Sequence, residues 1–258
     1  MSPPSPTVEA RVVDGYRHRA ALARAEARPV EPTLLPEALT GVREVVEFPC
    51  GSGHFLTSYA RAGVRARLID GSSHMLAEAI RHAREAGTRE LAVGHHLLHH
   101  LPALPTADLM VVPNGALNQL AALTDTTTVL SRLRTSVQTG TRMLLQAVDP
   151  TTEGTCFYTP HLTDRVWTRD HTVTTPAGYT VHRRRRQHHA PDRTQVKIEF
   201  AYTTPGPPGL AARTARVHLV LPHPDQVLGA AADAGWSTIT QARHAGFIEL
   251  LTEAGEVR

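Results

Sequence analysis

Lysine is nearly absent from this chain. Lys197 is the only one in 258 residues, so the basic side chains are otherwise arginine, and the net charge is just +3. A balance this small, carried by arginine in an alanine-rich chain, reflects a GC-rich genome more than a polyanionic partner, and nucleic acid is not expected. Cysteine is almost as scarce. Cys50 and Cys156 alone exclude a disulfide framework and point to a reducing cytoplasm. No apolar run approaches the roughly 18 residues a membrane-crossing helix needs. The opening Met1-Ser2-Pro3-Pro4-Ser5-Pro6 lacks the charged and apolar regions of a signal peptide and reads as a frayed tail. There is no internal repeat. Hydrophobic residues at 41% and charged residues at 20% describe a globule able to bury a sizeable core.

Against that background one stretch stands out: Val45-Val46-Glu47-Phe48-Pro49-Cys50-Gly51-Ser52-Gly53-His54-Phe55. An apolar run of strand length turns through two glycines into a segment with helical spacing. In a βα unit, glycines here let backbone approach a bound molecule, and the next helix points its N–H groups at it. About seventeen residues past Gly53 comes a second short strand, Arg67-Leu68-Ile69, ending in Asp70. An acid on the neighbouring strand can accept from both hydroxyls of a ribose. A nucleoside-containing cofactor lying across the first two strands of an open α/β sheet is the expectation.

The rest of the chain supports that sheet. A helix is expected over Val8–Arg28, with Tyr16 on its apolar face, either as a lid contact over the cofactor or as plain packing. Strands then alternate with helices: Val45–Pro49, helix His54–Ala62, Ala66–Asp70, helix Ser73–Ala86, Glu90–Val93, Asp108–Pro113, helix Thr126–Val137 and Arg142–Val148. This spacing argues a parallel sheet covered on both faces. After Asp149-Pro150 the rhythm changes to extended segments separated by turn material, an antiparallel meander of three or four strands. Helix Pro224–Ala234 and a closing hairpin near Ser237–Gln241 and Phe247–Leu251 complete the chain. The divisions are residues 1–40 as a helical lid, 41–150 as the cofactor-binding core, 151–222 as an antiparallel cap and 223–258 as completion of the core.

At this point the pattern resembles the class I S-adenosylmethionine-dependent methyltransferases, and particularly their small-molecule members such as amino-sugar and glycine-type N-methyltransferases. The residues that carry the resemblance are Glu47-Phe48-Pro49-Cys50-Gly51-Ser52-Gly53, Asp70-Gly71-Ser72-Ser73-His74-Met75-Leu76, Asn114-Gly115-Ala116-Leu117-Asn118-Gln119-Leu120, Gln138-Thr139-Gly140-Thr141-Arg142 and Ala234-Gly235-Trp236. The resemblance runs from about Glu44 to Glu253. It implies a Rossmann-like α/β fold, a seven-stranded mostly parallel sheet with helices on both faces and an antiparallel β cap inserted after the fifth strand. The dinucleotide alternative is disfavoured, because its third glycine would fall at Leu56. Two departures are plain. Pro49 and Cys50 replace the usual Gly-x pair, and Gly94-His95-His96 stands where the family commonly has Gly-Asp holding the adenine amine.

The resemblance implies S-adenosyl-L-methionine as cofactor. Gly51 and Gly53 would meet its methionine half, with Cys50 in the same loop, and Glu47 beneath would orient it. Asp70 would take the ribose hydroxyls beside Gly71 and Ser72. Met75 would lie against adenine unless it is ordinary helix core, and His95 and His96 would occupy the adenine-amine position. Tyr16 would close over the top. Asn114, Asn118 and Gln119 would shape the methyl path. Candidate bases are His161, Tyr158 and His95, with His182 and His218 on the cap. His95/His99 and His96/His100 have metal-ligand spacing only if they share a helical face, and no metal is expected. Arg183 and Arg185, on one face of a strand, would hold an anionic group of the substrate or else lie on a solvated, edge-protecting strand. A small-molecule acceptor is the expected partner, with pairing of two copies as a homodimer left open. The leading reading is methyl transfer to an amine or hydroxyl in secondary metabolism. The alternatives are a non-methylating, cyclisation-type enzyme of the same fold, or a non-catalytic nucleotide- or nucleic-acid-binding module.

Overall fold

The computed structural model describes residues 16, 20, 30–88, 90–152, 164–174, 178, 180–203 and 213–256. The expected lid helix lies outside these residues except for Tyr16 and Ala20, as do Tyr158, His161 and Cys156.

Strand β1 (Glu44–Glu47) is buried at all four positions, which a strand tolerates only where both faces of its sheet are covered. Val45 belongs to the apolar cluster on one face, with Leu68, Leu109, Val111 and Leu144. Val46 belongs to the cluster on the other, with Ile69, Met110, Val112, Met143 and Leu145. The alternation follows from the two-residue period of a strand. The other core strands are β2 (Arg65–Asp70), β3 (Leu91–His95), β4 (Leu109–Val112) and β5 (Arg142–Val148). The helices are α1 (Leu35–Ala38), α2 (Leu56–Ala62), α3 (Ser73–Glu85), α4 (Ala116–Ala121), α5 (Thr126–Ser136) and α6 (Pro224–Asp233). Residues of α1, α2 and α3 fill the Val45 side, and residues of α4, α5 and α6 fill the Val46 side.

Local chemistry sets the helix ends. The Ser72 hydroxyl accepts from the Met75 N–H at the start of α3, and the Asp125 carboxylate accepts from the Thr128 N–H at the start of α5. Gly63, at φ +70°, takes the left-handed turn that ends α2.

The parallel pairs are β3–β2, β2–β1, β1–β4 and β4–β5. Four further strands, β6 (Thr168–Thr174), β7 (Thr180–His189), β8 (Gln195–Thr203) and β9 (Arg213–Val220), form a separate antiparallel sheet in sequence order. The chain then returns through α6 to β10 (Trp236–His244) and β11 (Phe247–Ala254). β11 inserts between β5 and β10, giving the order β10-β11-β5-β4-β1-β2-β3 with β10 and β11 antiparallel. The order reverses between β1 and β4, the switch point where open α/β sheets form a crevice. The four-stranded sheet packs its apolar face, including Ile198, Phe200, Val217 and Leu219, against Val148 and Phe247 at the ends of β5 and β11.

Two of the boundaries that differ from the sequence expectation bear on the site. α2 begins at Leu56 rather than His54, because Phe55, at φ −121° and ψ 23°, lies outside the helical region. β3 runs two residues past Val93, because Gly94 and His95 pair with Ile69 and Asp70.

Candidate functional site

The crevice lies at the carboxyl ends of β1, β2, β3 and β4. Its floor is the loop after β1, held from below at every turn. Cys50 N–H donates to Ile69 O at 2.9 Å, Gly51 N–H to Asp70 Oδ2 at 2.8 Å, and Gly53 N–H to Cys50 O at 2.8 Å. Gly51 sits at φ +52° and Gly53 at φ +81°, where a Cβ is strained. A Cβ on Gly53 would also come within 2.3 Å of Leu56 Cδ1. The Cys50 thiol is wholly buried, and that burial, followed by the charges of Asp70 and Glu47, pushes it well above its usual range. Its side chain supports the loop from beneath rather than lining the crevice.

Asp70 is 8% exposed. Its Oδ2 accepts from Gly51 N–H, and its Oδ1 accepts from Ser72 N–H at 2.7 Å. Burial raises this carboxyl to about 6, against the opposing pull of those two N–H groups and of His54 and His95.

Glu47 is completely buried at the end of β1. Its Oε2 accepts from Tyr59 OH at 2.7 Å, and its Oε1 accepts from the His54 N–H at 2.9 Å and from His54 Nδ1 at 3.0 Å. These bonds meet the cost of a core carboxylate. Proximity to that charge and burial, burial first, raise the Tyr59 phenol well above its ordinary range.

Two histidines buttress the loop. His82 Nδ1, in the last turn of α3, lies 2.9 Å from Gly53 O and 3.3 Å from Ser52 O, so it donates to carbonyls of the loop. His95 Nε2 lies 2.8 Å from Gly71 O, while the His96 N–H donates to Asp70 O at 3.1 Å. Met75 is 6% exposed and belongs to none of the three apolar clusters.

On the far wall, Asn114 at φ +52° and Gly115 at φ +70° make the left-handed turn into α4. The Asn114 N–H donates to Gln146 Oε1 at 3.0 Å. Tyr16 OH donates to Gln119 Oε1.

No family model matches the chain, and no curated protein matches it. Solved structures do. A methyltransferase that uses S-adenosylmethionine, from Clostridium acetobutylicum, superposes with a TM-score of 0.66 at 9% identity, over 96% of this chain and 92% of the other. The amino pentose methyltransferase CalS10 of Micromonospora echinaspora, solved with S-adenosylmethionine bound, gives 0.62 at 16% identity over 98% and 100%. The sugar N-methyltransferase KedS8 of a Streptoalloteichus species gives 0.64 at 17% identity over 99% and 96%. The fold is that of the class I methyltransferases.

Within this methyltransferase fold several expected site residues take other positions. Asn118 is fully buried. Its Nδ2 donates to Val220 O and its Oδ1 accepts from Val148 N–H, both at 2.8 Å. Both ends of the amide are engaged with backbone, so Asn118 ties the cap strand β9 to β5 and is not free to reach a substrate. His182 and His218 lie on the cap face turned away from the core, against Arg169 and Gln195 respectively. The histidine run forms no continuous helix. His95 ends β3 and Leu98–His100 is a single 3-10 turn, so the i, i+4 face does not exist. Among the described residues no group of three His, Cys, Asp or Glu is placed to hold a metal.

Arg183 and Arg185 do share a face, the inward one, on a strand interior to the sheet rather than at its edge. Arg183 donates to both oxygens of Asp170 at 3.0 and 2.9 Å. No described helix is long and apolar enough to cross a membrane. A groove of about 1510 Å³ opens at the amino ends of the core strands, among Arg43, Glu44, Arg65, Asp108 and Arg142. Its acids are met by arginines, Glu44 by Arg65 and Arg67 and Asp108 by Arg43, which leaves the carboxyl-end crevice as the candidate site.

Proposed function

We propose that this protein is an S-adenosylmethionine-dependent methyltransferase acting on an amine or hydroxyl of a small molecule in secondary metabolism. The observation that carries the reading is Asp70. It is a buried carboxylate at the carboxyl end of β2, with one lone-pair site on each oxygen engaged by the N–H groups of Gly51 and Ser72. A second site on each oxygen faces the hydroxyls of a ribose. The glycines beside it, at φ +52° and +81°, take a conformation that a Cβ would strain and suit close approach of the methionine half.

The remaining roles follow. Gly71 and Ser72 border the ribose, and Met75 walls the adenine. A carbonyl only accepts, so His95 Nε2 must donate to Gly71 O, and in the neutral ring Nδ1 is left as an acceptor. That acceptor answers the exocyclic amine of adenine in place of the family's usual carboxylate. His96 supports it through its bond to Asp70 O. Asn114 and Gln119 border the methyl path, and Tyr16 closes it through Gln119.

Bound S-adenosylmethionine supplies a methyl group already activated on a sulfonium, so alignment supplies most of the rate. A base is required only for an acceptor that arrives protonated, and His161 and Tyr158 are the proposed ones. The acceptors named for two neighbours, an amino pentose and a sugar nitrogen, favour an amino group on a sugar-like molecule. Calorimetry with S-adenosylmethionine tests the cofactor, and the mass of the product tests the reaction. Binding followed by a gain of one methylene unit supports the reading; absence of binding refutes it.

A further inference from the structure

His54 was given no ligand role by the motif or the resemblance. It stands directly after Gly53, with its ring laid back over the glycine loop. A Cβ on Gly51 would meet His54 Cε1 at 2.9 Å and Nε2 at 3.5 Å, so the ring edge carrying Nε2 covers the place where backbone is bare. The opposite nitrogen is committed. Nδ1 lies 3.0 Å from Glu47 Oε1, and a carboxylate only accepts, so the proton is on Nδ1. The side chain is 17% exposed, whereas Glu47 behind it is completely buried. Among the described residues His54 is the one basic side chain within ion-pair distance of Glu47. The arrangement is a carboxylate–imidazole pair anchored in the core, presenting Nε2 to the loop on which the cofactor's amino-acid half would rest.

We propose that His54 is a specificity-determining residue that grips the α-carboxylate of that amino-acid half through Nε2–H. The inference rests on the cofactor reading above. In the complex the imidazole bridges two carboxylates, Glu47 on Nδ1 and the ligand on Nε2, and both are acceptors, so the ring donates from both nitrogens. The imidazole thereby reads the part of the ligand that distinguishes it from a bare nucleoside.

The test compares S-adenosylhomocysteine with methylthioadenosine, which keeps the nucleoside and sulfur but lacks the amino acid. His54→Asn retains an N–H near the Nδ1 position for Glu47 and removes Nε2, so the loop keeps its anchor. Binding of S-adenosylhomocysteine to His54→Asn should weaken by roughly ten- to a hundred-fold, the range for a hydrogen bond between charged groups, while methylthioadenosine stays within about twofold. His54→Gln, which extends an N–H toward the Nε2 position, should recover part of the loss. Equal weakening of both ligands, with unchanged far-ultraviolet dichroism, overturns the proposal and leaves His54 as loop support. If the wild type binds methylthioadenosine and S-adenosylhomocysteine equally well, the proposal also fails while the cofactor reading stands. If it binds neither, both fail.

Discussion

Replacing Asp70 with asparagine separates the affinity of the crevice from the stability of the fold, because one charge drives them in opposite directions. Burial lifts the Asp70 carboxyl from the usual carboxylate range to about 6. A rise of about two units corresponds to about 3 kcal/mol. An acid whose folded pKa lies above its unfolded value holds its proton more tightly when folded. The unfolded chain releases that proton first, so Asp70's contribution to stability falls as pH climbs from about 4 to about 6 and is level above. Near neutral pH the ionised carboxylate therefore costs the fold about 3 kcal/mol. Cofactor affinity runs the other way, since only the ionised form accepts from two ribose hydroxyls while keeping Gly51 and Ser72. The dissociation constant for S-adenosylhomocysteine should be flat above about pH 7 and rise about tenfold per unit below about pH 6. In Asp70→Asn the charge is gone, but the amide NH2 faces one of the two backbone donors, at a cost of about 1–3 kcal/mol.

The two effects nearly cancel, so the variant's unfolding free energy near neutral pH should lie within about 2 kcal/mol of wild type. Its affinity should drop about a hundred-fold or more, as two hydrogen bonds to a charged group at about 1.5–3 kcal/mol each require. Urea denaturation and calorimetry of both proteins from about pH 4.5 to 8 provide the measurement. The reasoning is refuted if the stability difference between the two proteins is constant across that range, or if wild-type affinity ignores pH near 6.

Gly53→Ala should lower the melting temperature and abolish S-adenosylhomocysteine binding, since a left-handed alanine costs about 1–2 kcal/mol and its Cβ lies 2.3 Å from Leu56 Cδ1; thermal denaturation with and without ligand shows both. Tyr59→Phe leaves Glu47 Oε2 buried without its donor and should cost about 1–3 kcal/mol in urea unfolding. Asn118→Ala orphans the Val148 N–H and the Val220 carbonyl, should cost about 2–4 kcal/mol, and should speed amide exchange in β9 before the core strands.

The core sheet was legible in the sequence because its signals are local. Strand β1 reads as an apolar run because both faces are covered, and the turn at Gly51 and Gly53 needs residues that tolerate positive φ. The spacing to Asp70 follows from one helix and one strand. What escaped was set by contacts distant in sequence. Gln146 sits in an ordinary apolar strand, and nothing near it announces that it will hold the Asn114 N–H, 32 residues away. His82 looks like one more exposed histidine at a helix end until α3 packs against the glycine loop. For Arg183 and Arg185 the strand period predicted one shared face but not which, because Arg184 and Arg186 make the other face equally basic. The condition for a metal reading of the histidine run, one shared helical face, is not met because pairing with β2 extends β3 to His95.

The polar residues inside the sheet explain why the wall opposite the glycine loop is fixed in shape. Gln146 on β5 and Glu249 on β11 are direct cross-strand partners, nearly or fully buried in a sheet whose interior is otherwise largely apolar. Buried polar groups destabilise a fold unless bonded, so their partners identify what they hold. Gln146 Nε2 donates to Val30 O, and its Oε1 accepts from Asn114 N–H. Glu249 Oε2 accepts from Thr33 Oγ1 at 2.7 Å and from Leu34 N–H at 3.2 Å. Residues 30–34 are therefore clamped across the ends of β5 and β11, and one amide links that clamp to the Asn114 turn. Two residues into α4, Asn118 links the same turn to cap strand β9. The core, the cap and the leading segment thus meet beside a turn of two left-handed residues, Asn114 and Gly115. A pocket assembled this way can change its acceptor by altering the cap and leading segment while the Asp70 side of the crevice, built from different strands, stays as it is.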